Sequence, residues 1–405
     1  MARYAQIVGW GMCVPDHVLT NDDLSRIVDT SDEWIRTRTG IRERRIVSEE
    51  TETTSSLAVK AARAALEVAD LSPQQLDAVI VATVTPDYPF PATACLVQDR
   101  LGAVRASAFD LNAGCSGFIY GLSIGSSLIV SGQADHVLVI GAETLSRITN
   151  WNDRDTCVLF GDGAGAVVLA ASQTPGGVRA TVLGADGSGA DLLILPAGGS
   201  RHPASRQTMD DGLHFIHMRG REVFRFATQI MAQATRQVAE QAGWALDEIS
   251  LIIPHQANER IIQSSLSRLK LPPERAFSNL ERYGNTSAAS IPIALCEAVE
   301  QGRVHADDRL ILVGFGAGLT WAAAAVQWGV PLPVQPLPWW RRLWRWLIYR
   351  GARWRSLALR ALRWLAGLLS GPVHHNGWRA RLSAWRERRR QASKEPVPPQ
   401  TPPER

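Results

Sequence analysis

Apolar residues run through the first 330 positions in short continuous blocks, separated by stretches with a helical period. "LDAVIVATV" (76–84), "HVLVIGAE" (136–143), "GAVVLAA" (165–171), "ISLIIP" (249–254) and "RLILVGFG" (309–316) are rich in branched side chains, the form taken by strands buried on both faces. Between them, "SSLAVKAARAALEVA" (55–69), "FRFATQIMAQATRQVAEQAG" (224–243) and "NERIIQSSLSRL" (258–269) space their apolar residues three and four apart, as helices with one buried face do. Strands alternating with helices predict an α/β fold around a largely buried sheet. "LPAGGSRHPASRQTMDDG" (195–212) has no apolar period and reads as a mobile loop, a lid candidate.

The blocks also repeat. "LDAVIVA" at 76 is answered by "LDEISLI" at 246, Cys115 by Asn285, and "SG" at 131–132 by "QG" at 301–302, all at an offset of 170 residues. A period this long indicates a duplicated domain, not a solenoid unit. The expected organisation is an N-terminal half (1–175), a C-terminal half (176–330), a proline-rich linker (331–338) and a basic tail (339–405). Sites are preferred where such halves meet.

Charge separates the tail from the body. Residues 331–405 hold 16 Lys/Arg and 3 Asp/Glu, leaving 27 basic and 36 acidic residues in the first 330. Five scattered cysteines (13, 95, 115, 157, 296), with no CxxC pair and no apolar leader at the start, predict reduced thiols in a cytoplasmic protein, without a disulfide framework or zinc site.

Three segments carry candidate chemistry. In "NAGCSGF" Cys115 stands between an extended segment and an apolar, small-residue helix; the positive end of that helix favours thiolate, the nucleophilic form. A buried structural cysteine is the competing reading. "IIPHQANERI" places His255 directly after a strand, and "RYGNTSAASIP" places Asn285 at another strand-to-helix turn. Alone, each suits a structural role; together they offer one nucleophile and two polar donors.

With these residues in view, the chain resembles the 3-oxoacyl-[acyl-carrier-protein] synthase III family of the thiolase-like superfamily. The likeness runs from residue 4 to 328 through "TSDEWIRTRTGIRERR", "NAGCSGF", "FGDGAGAVVL", "HQANERII", "YGNTSAAS" and "GFGAGLTW". It implies a five-layered αβαβα fold and a homodimer. It also implies decarboxylative Claisen condensation. Cys115 would take an acyl group from acyl-coenzyme A; malonyl-acyl carrier protein would lose CO2, and its enolate would attack the acyl-cysteine. His255 and Asn285 would stabilise the enolate oxygen, with no metal or redox cofactor. Trp34 and Arg154 match the pair that sandwiches the coenzyme A adenine, with Thr30 and Arg38 nearby. Phe90 matches an aromatic reaching the partner subunit's acyl pocket. Phe315 and Ala317 fall in the acyl-binding "GFGAG", where Ala317 replaces a usual glycine. Arg221 adds charge near the pantetheine, and Arg225, Arg260 and Arg268 match residues meeting the carrier protein. The rivals are a secondary-metabolism synthase with a longer or aromatic primer and a non-catalytic recruitment scaffold. A degradative thiolase is disfavoured, because Asn285 stands where thiolases place a second histidine.

The tail lies outside this resemblance. "PLPVQPLP" reads as a semi-extended spacer. Next, 339–370 reads as an amphipathic helix, with Arg342, Arg345, Arg353, Arg360 and Arg363 on one side and Trp and Leu over much of the rest. It is too charged to span a bilayer. A membrane surface, the enzyme's own surface and a protein partner are its three candidate contacts; nucleic acid is not expected against the Leu-rich face. The final "ASKEPVPPQTPPER" has a disordered composition.

Overall fold

Two sheets of buried, branched side chains carry the fold. The computed structural model describes residues 2–330 and 338–369. The first sheet comprises β1 (Tyr4–Cys13), β2 (Ala78–Ala82), β3 (Ser107–Leu111), β4 (His136–Thr144) and β5 (Asp162–Ser172), in spatial order β1-β5-β4-β2-β3. The second comprises β6 (Gly177–Ala185), β7 (Leu251–Pro254), β8 (Arg309–Gly316) and β9 (Thr320–Gln327), in order β7-β8-β9-β6. The two share a pairing scheme: β2–β4 and β7–β8 are parallel, and β4–β5–β1 and β8–β9–β6 continue antiparallel, while the first sheet adds β3 parallel to β2.

The helices that matter here are α1 (Asp32–Thr39), α2 (Thr54–Val68), α3 (Gly117–Val130), α4 (Gly220–Ala242), α5 (Glu259–Leu269), α6 (Ser290–Glu300) and α7 (Trp339–Leu369). Phe118 and Leu122 of α3 and Ile291 and Leu295 of α6 share one buried cluster with Ile80 and Val139 of the first sheet and Leu310 and Leu312 of the second. α3 and α6 therefore form the layer between the sheets. α2 covers the outer face of the first sheet, and α4 and α5 that of the second. The result is the expected five-layered αβαβα order, because every sheet face is apolar and must be covered.

The duplication is real in the structure, but its register differs from the one read in sequence. Equivalent elements start 173 residues apart: β1 at 4 and β6 at 177, α3 at 117 and α6 at 290, β4 at 136 and β8 at 309. Cys115 therefore answers Ala288, and Asn285 answers Asn112. α6 has 11 residues where α3 has 14, so the step falls to 170 only after these helices, at the glycine turns. The "LD" dipeptides coincide in letters but not in place: the turns Pro73–Gln75 and Leu246–Glu248 are the true equivalents.

The two halves meet backbone to backbone. A Cβ on Gly141 of β4 would lie 2.1 Å from the Ala288 carbonyl oxygen. Its counterpart, Gly314 of β8, faces the Cys115 carbonyl. In the 195–212 segment, read from the sequence as a mobile loop, residues 195–205 form no helix or strand and Arg206–Asp210 form a short helix capped by Ser205.

By contact the chain forms two units, Met1–Ala352 and Arg353–Arg405. The first unit includes the base of α7, which docks on α2. Arg345, buried, donates to the Leu66 carbonyl (2.9 Å) and to Asp70 (2.8 Å). Arg341 also pairs with Asp70, and Arg342 with Glu67 at 3.0 Å. The Arg63 guanidinium stacks 4.3 Å from the Tyr349 ring centre. These arginines meet the C-terminal end of α2, where the helix dipole favours cations. The linker 331–337 and residues beyond 369, including the expected disordered end, lie outside the described residues.

Gly141→Ala should destabilise the protein by about 3 kcal/mol or more, since backbone faces the added methyl and cannot swing aside. Chemical denaturation measures this; wild-type stability would contradict the close meeting of the halves.

Candidate active site

The residues around Cys115 leave little freedom to its backbone. Gly114 has φ +55°, a left-handed conformation that suits glycine, and a Cβ there would lie 2.7 Å from the Ala317 nitrogen. A Cβ on Gly316 would lie 2.4 Å from the Cys115 nitrogen. The Cys115 turn, Gly114–Ser116, is thus pressed against the end of β8, immediately before α3. Cys115 and Ala317 both line a cavity of about 1090 Å³, together with Asn112, Thr144, Phe160 and Ser287.

Burial shapes the charge state. It pushes the Cys115 thiol up to about 12, with the Ser287 hydroxyl lowering it and the Glu143 carboxylate raising it. Desolvation thus opposes the thiolate that the sequence reading expects at the helix start.

His255 follows β7, its N–H donating to the Val313 carbonyl at 2.8 Å. The ring is buried and packs edge-on to Phe315 at 5.3 Å. Its Nδ1 lies 2.6 Å from Ser290 Oγ. The Gln256 backbone N–H also donates to that oxygen, at 3.4 Å; with the serine proton given to Nδ1, the imidazole proton stands on Nε2. Nε2 is buried with no partner. Burial lowers the imidazole to about 3, so it is neutral near pH 7. Asn285 is anchored by its backbone to Leu159 and Gly161. Its Oδ1 accepts the Ser287 N–H at 2.8 Å, so the Nδ2 end is left to donate elsewhere.

These groups gather around one place. The His255 Cβ and the Cys115 carbonyl lie 3.4 and 3.8 Å from a single point, where a Cβ on Gly314 would stand. Asn285 reaches Cys115 through Ser287, which touches both. Cys115 and Ser287 are in the cavity wall; His255 and Asn285 are buried and are not among its lining residues.

Sequence reasoning missed Glu143. It is fully buried on β4 and accepts from Thr85 Oγ1 (2.5 Å), Thr83 Oγ1 (3.2 Å), Ser287 Oγ (3.0 Å) and the backbone N–H groups of Val84 and Thr85. Burial raises its carboxyl to about 7 against these donors. The signal was available: a lone acid inside the apolar run "HVLVIGAET" needs a built environment. Ser287, with φ +49°, was hidden among small residues.

The remaining predicted residues form two surface groups. Trp34, half-buried on α1, has the Arg38 and Arg154 guanidinium carbons 4.8 and 4.9 Å from its ring centre. Thr30 precedes them, its hydroxyl buried without a partner. Arg221 and Arg225 are exposed on the first turns of α4, and exposed Arg260 begins α5, 5.8 Å from the Phe224 ring. Arg268 lies two helical turns further along α5 and does not join them. Phe90 is 87% exposed beside the cavity residues Asp87 and Pro89.

Comparison with known proteins places this arrangement. Residues 109–187 match the model of 3-oxoacyl-[acyl-carrier-protein] synthase III, and 239–328 match its C-terminal model. The chain is 56% identical over 328 residues to a beta-ketoacyl-[acyl-carrier-protein] synthase III of Roseiflexus sp. (strain RS-1), covering 81% of this chain and 99% of that protein. It is 57% identical over 327 residues to the corresponding synthase of Symbiobacterium thermophilum, with the same shares covered. The crystal structure of 3-oxoacyl-[acyl-carrier-protein] synthase III from Aquifex aeolicus VF5 superposes with a TM-score of 0.74 at 50% identity, covering 80% of this chain and all of that one. A thiolase-like fold with a cysteine turn, a histidine and an asparagine gathered across its two halves, together with this identity over the body, makes the chain a member of the beta-ketoacyl-[acyl-carrier-protein] synthase III family of acyl-transferring condensing enzymes.

Proposed function

We propose that the chain joins an acyl primer from coenzyme A, acetyl in the simplest case, to malonyl-acyl carrier protein, giving 3-oxoacyl-acyl carrier protein and CO2 at the start of fatty-acid synthesis. The supporting observation is the buried nucleophile with two neutral donors behind it: Cys115 in the cavity wall, the Nε2 of His255 and the Nδ2 of Asn285.

In the first half-reaction, Cys115 sulfur attacks the thioester carbonyl carbon and coenzyme A leaves as the thiol, taking a proton equivalent to the one sulfur gives up. The backbone N–H groups of Cys115 and Ala317, from the two abutting turns, suit the developing oxyanion. Ala317 in place of glycine keeps that N–H and adds a methyl to the cavity wall. In the second, loss of CO2 leaves an enolate whose oxygen is held by His255 Nε2–H and Asn285 Nδ2–H. Neutral donors suit this step, because a cationic histidine could not persist where burial holds the imidazole near 3. The enolate carbon attacks the acyl-cysteine, and sulfur departs.

Trp34, flanked by Arg38 and Arg154 and close to Thr30, suits a planar base bearing phosphates, the adenine end of coenzyme A. Arg221 stands near the same route. Arg225 and Arg260 form a basic patch for an acidic carrier protein; Arg268, on a later turn, plays a smaller part. Phe90, exposed at the cavity rim, supports a homodimer in which it enters the partner's acyl pocket. The halves 1–175 and 176–330 act as one catalytic body, and residues 339–370 make peripheral membrane contact; no described helix is long and apolar enough to cross a membrane.

Cys115→Ala should fold normally and carry no acyl group after incubation with acetyl-coenzyme A, read by intact-protein mass spectrometry; retained acyl transfer would refute the nucleophile. In the wild type, preferential loading of octanoyl or aromatic groups from a primer panel would contradict the acetyl assignment. Asn285→Ala should slow decarboxylation by about 10²–10³-fold, the effect of losing one oxyanion donor. Because the resting thiol titrates high, alkylation of Cys115 by iodoacetamide should rise steadily from pH 6 to 9; a plateau near pH 7 would show a stable thiolate instead.

A further inference from the structure

The side chains of α7 divide into two faces. The face on the body is Arg341, Arg345, Tyr349 and Ala352, at the three- and four-residue steps of one helix side. On the other side, Trp340, Leu343 and Leu347 are 53%, 49% and 46% exposed. At 3.6 residues per turn, Arg350 falls on this same side, its guanidinium 4.5 Å from the Trp346 ring centre. The helix thus has a second apolar surface, opposite the one used to hold the enzyme.

Building on the proposed membrane contact of residues 339–370, we infer that α7 is an in-plane anchor whose Trp340–Leu343–Leu347 stripe enters an anionic lipid surface, while Arg341, Arg342 and Arg345 bind the enzyme body and not lipid. This reverses the assignment suggested by charge alone. The basic side read from the sequence is, at its N-terminal end, the docked side: Glu67 and Asp70 neutralise it, and Arg345 is buried.

Charge selects lipid among the occupants of the stripe. Residues 339–369 contain eight arginines and no acid, and Arg341, Arg342 and Arg345 meet Glu67 and Asp70. A second copy would bring an equally basic helix against this one, and like charges oppose that pairing. A neutral protein groove would accept the leucines but strip water from Arg350. An anionic bilayer satisfies both, taking tryptophan and leucine at the acyl boundary and arginine among the headgroups. With 31 residues, the helix is about 46 Å long and suits lying along the surface.

The test uses the full chain and sedimentation with vesicles of phosphatidylglycerol and phosphatidylcholine, or of phosphatidylcholine alone. Wild type should bind the anionic vesicles, more weakly as salt rises, with a blue shift of tryptophan emission. The combined Trp340→Glu, Leu343→Glu and Leu347→Glu variant should lose at least about tenfold in vesicle affinity while keeping condensation in solution. The Glu67→Gln, Asp70→Asn variant should keep vesicle binding, because those acids hold the enzyme and not the lipid. If the stripe variant binds like wild type while deletion of 331–405 abolishes binding, the membrane contact stands and the stripe assignment is overturned. If the deletion leaves binding unchanged, the membrane contact itself falls. Self-association of wild type that the stripe variant loses, with no vesicle binding, would give the stripe to a second copy and overturn the lipid assignment. The body should survive the deletion, since relatives that align almost whole match 328 residues of it.

Discussion

The close backbone contact between the Cys115 turn and the end of β8 is the constraint on which the site depends. Gly114 and Gly316 let the Gly114–Ser116 turn rest against Ala317, and Gly314 lets the Cys115 carbonyl approach the base of His255. A side chain at these positions would push the two halves apart and separate sulfur from the imidazole. Duplication makes the contact reciprocal, because Gly141 meets the Ala288 turn as Gly314 meets the Cys115 turn. One half of this symmetric joint carries the thiol. The other carries Ser287, which links Asn285, Glu143 and Cys115.

The interior formed this way holds little charge. The thiol and imidazole are neutral, and Glu143 sits near its midpoint at pH 7 under a canopy of hydroxyl and amide donors. Such an environment favours reactions whose charge appears only in passing, on a thioester oxygen, and is met by fixed dipoles. Permanent charge is kept outside. Arginines around Trp34 and at the start of α4 and α5 stand where phosphates and an acidic carrier would arrive. The basic arm of α7 is tied to the C-terminal end of α2.

Much of this was legible in the sequence. Buried strands announce themselves as runs of branched residues, and α2, α4 and α5 as three-and-four spacings, because burial imposes those periods directly. Cys115, His255 and Asn285 stood out as chemical residues at strand-to-helix turns. The register of the duplication did not survive: the repeated "LD" and glycine pairs suggested 170 residues, whereas β1 and β6, α3 and α6, and β4 and β8 start 173 apart, and the glycine turns repeat at 170 only because α6 is three residues shorter than α3. Burial of the thiol was not readable either, because a helix start is visible in sequence and desolvation is not. Glu143 and Ser287 work through contacts across 144 residues of chain, which no local pattern encodes. In the tail, the arginine side was readable, but not that Glu67 and Asp70 would occupy it.

The central claim is that two neutral donors from the second half hold the thioester oxygen opposite Cys115. A crystal structure of the Cys115→Ala protein with a non-hydrolysable malonyl thioester tests it most directly. The account predicts the thioester oxygen within hydrogen-bond distance of both His255 Nε2 and Asn285 Nδ2. An oxygen turned toward Glu143, or a ligand seated away from both side chains, would contradict it.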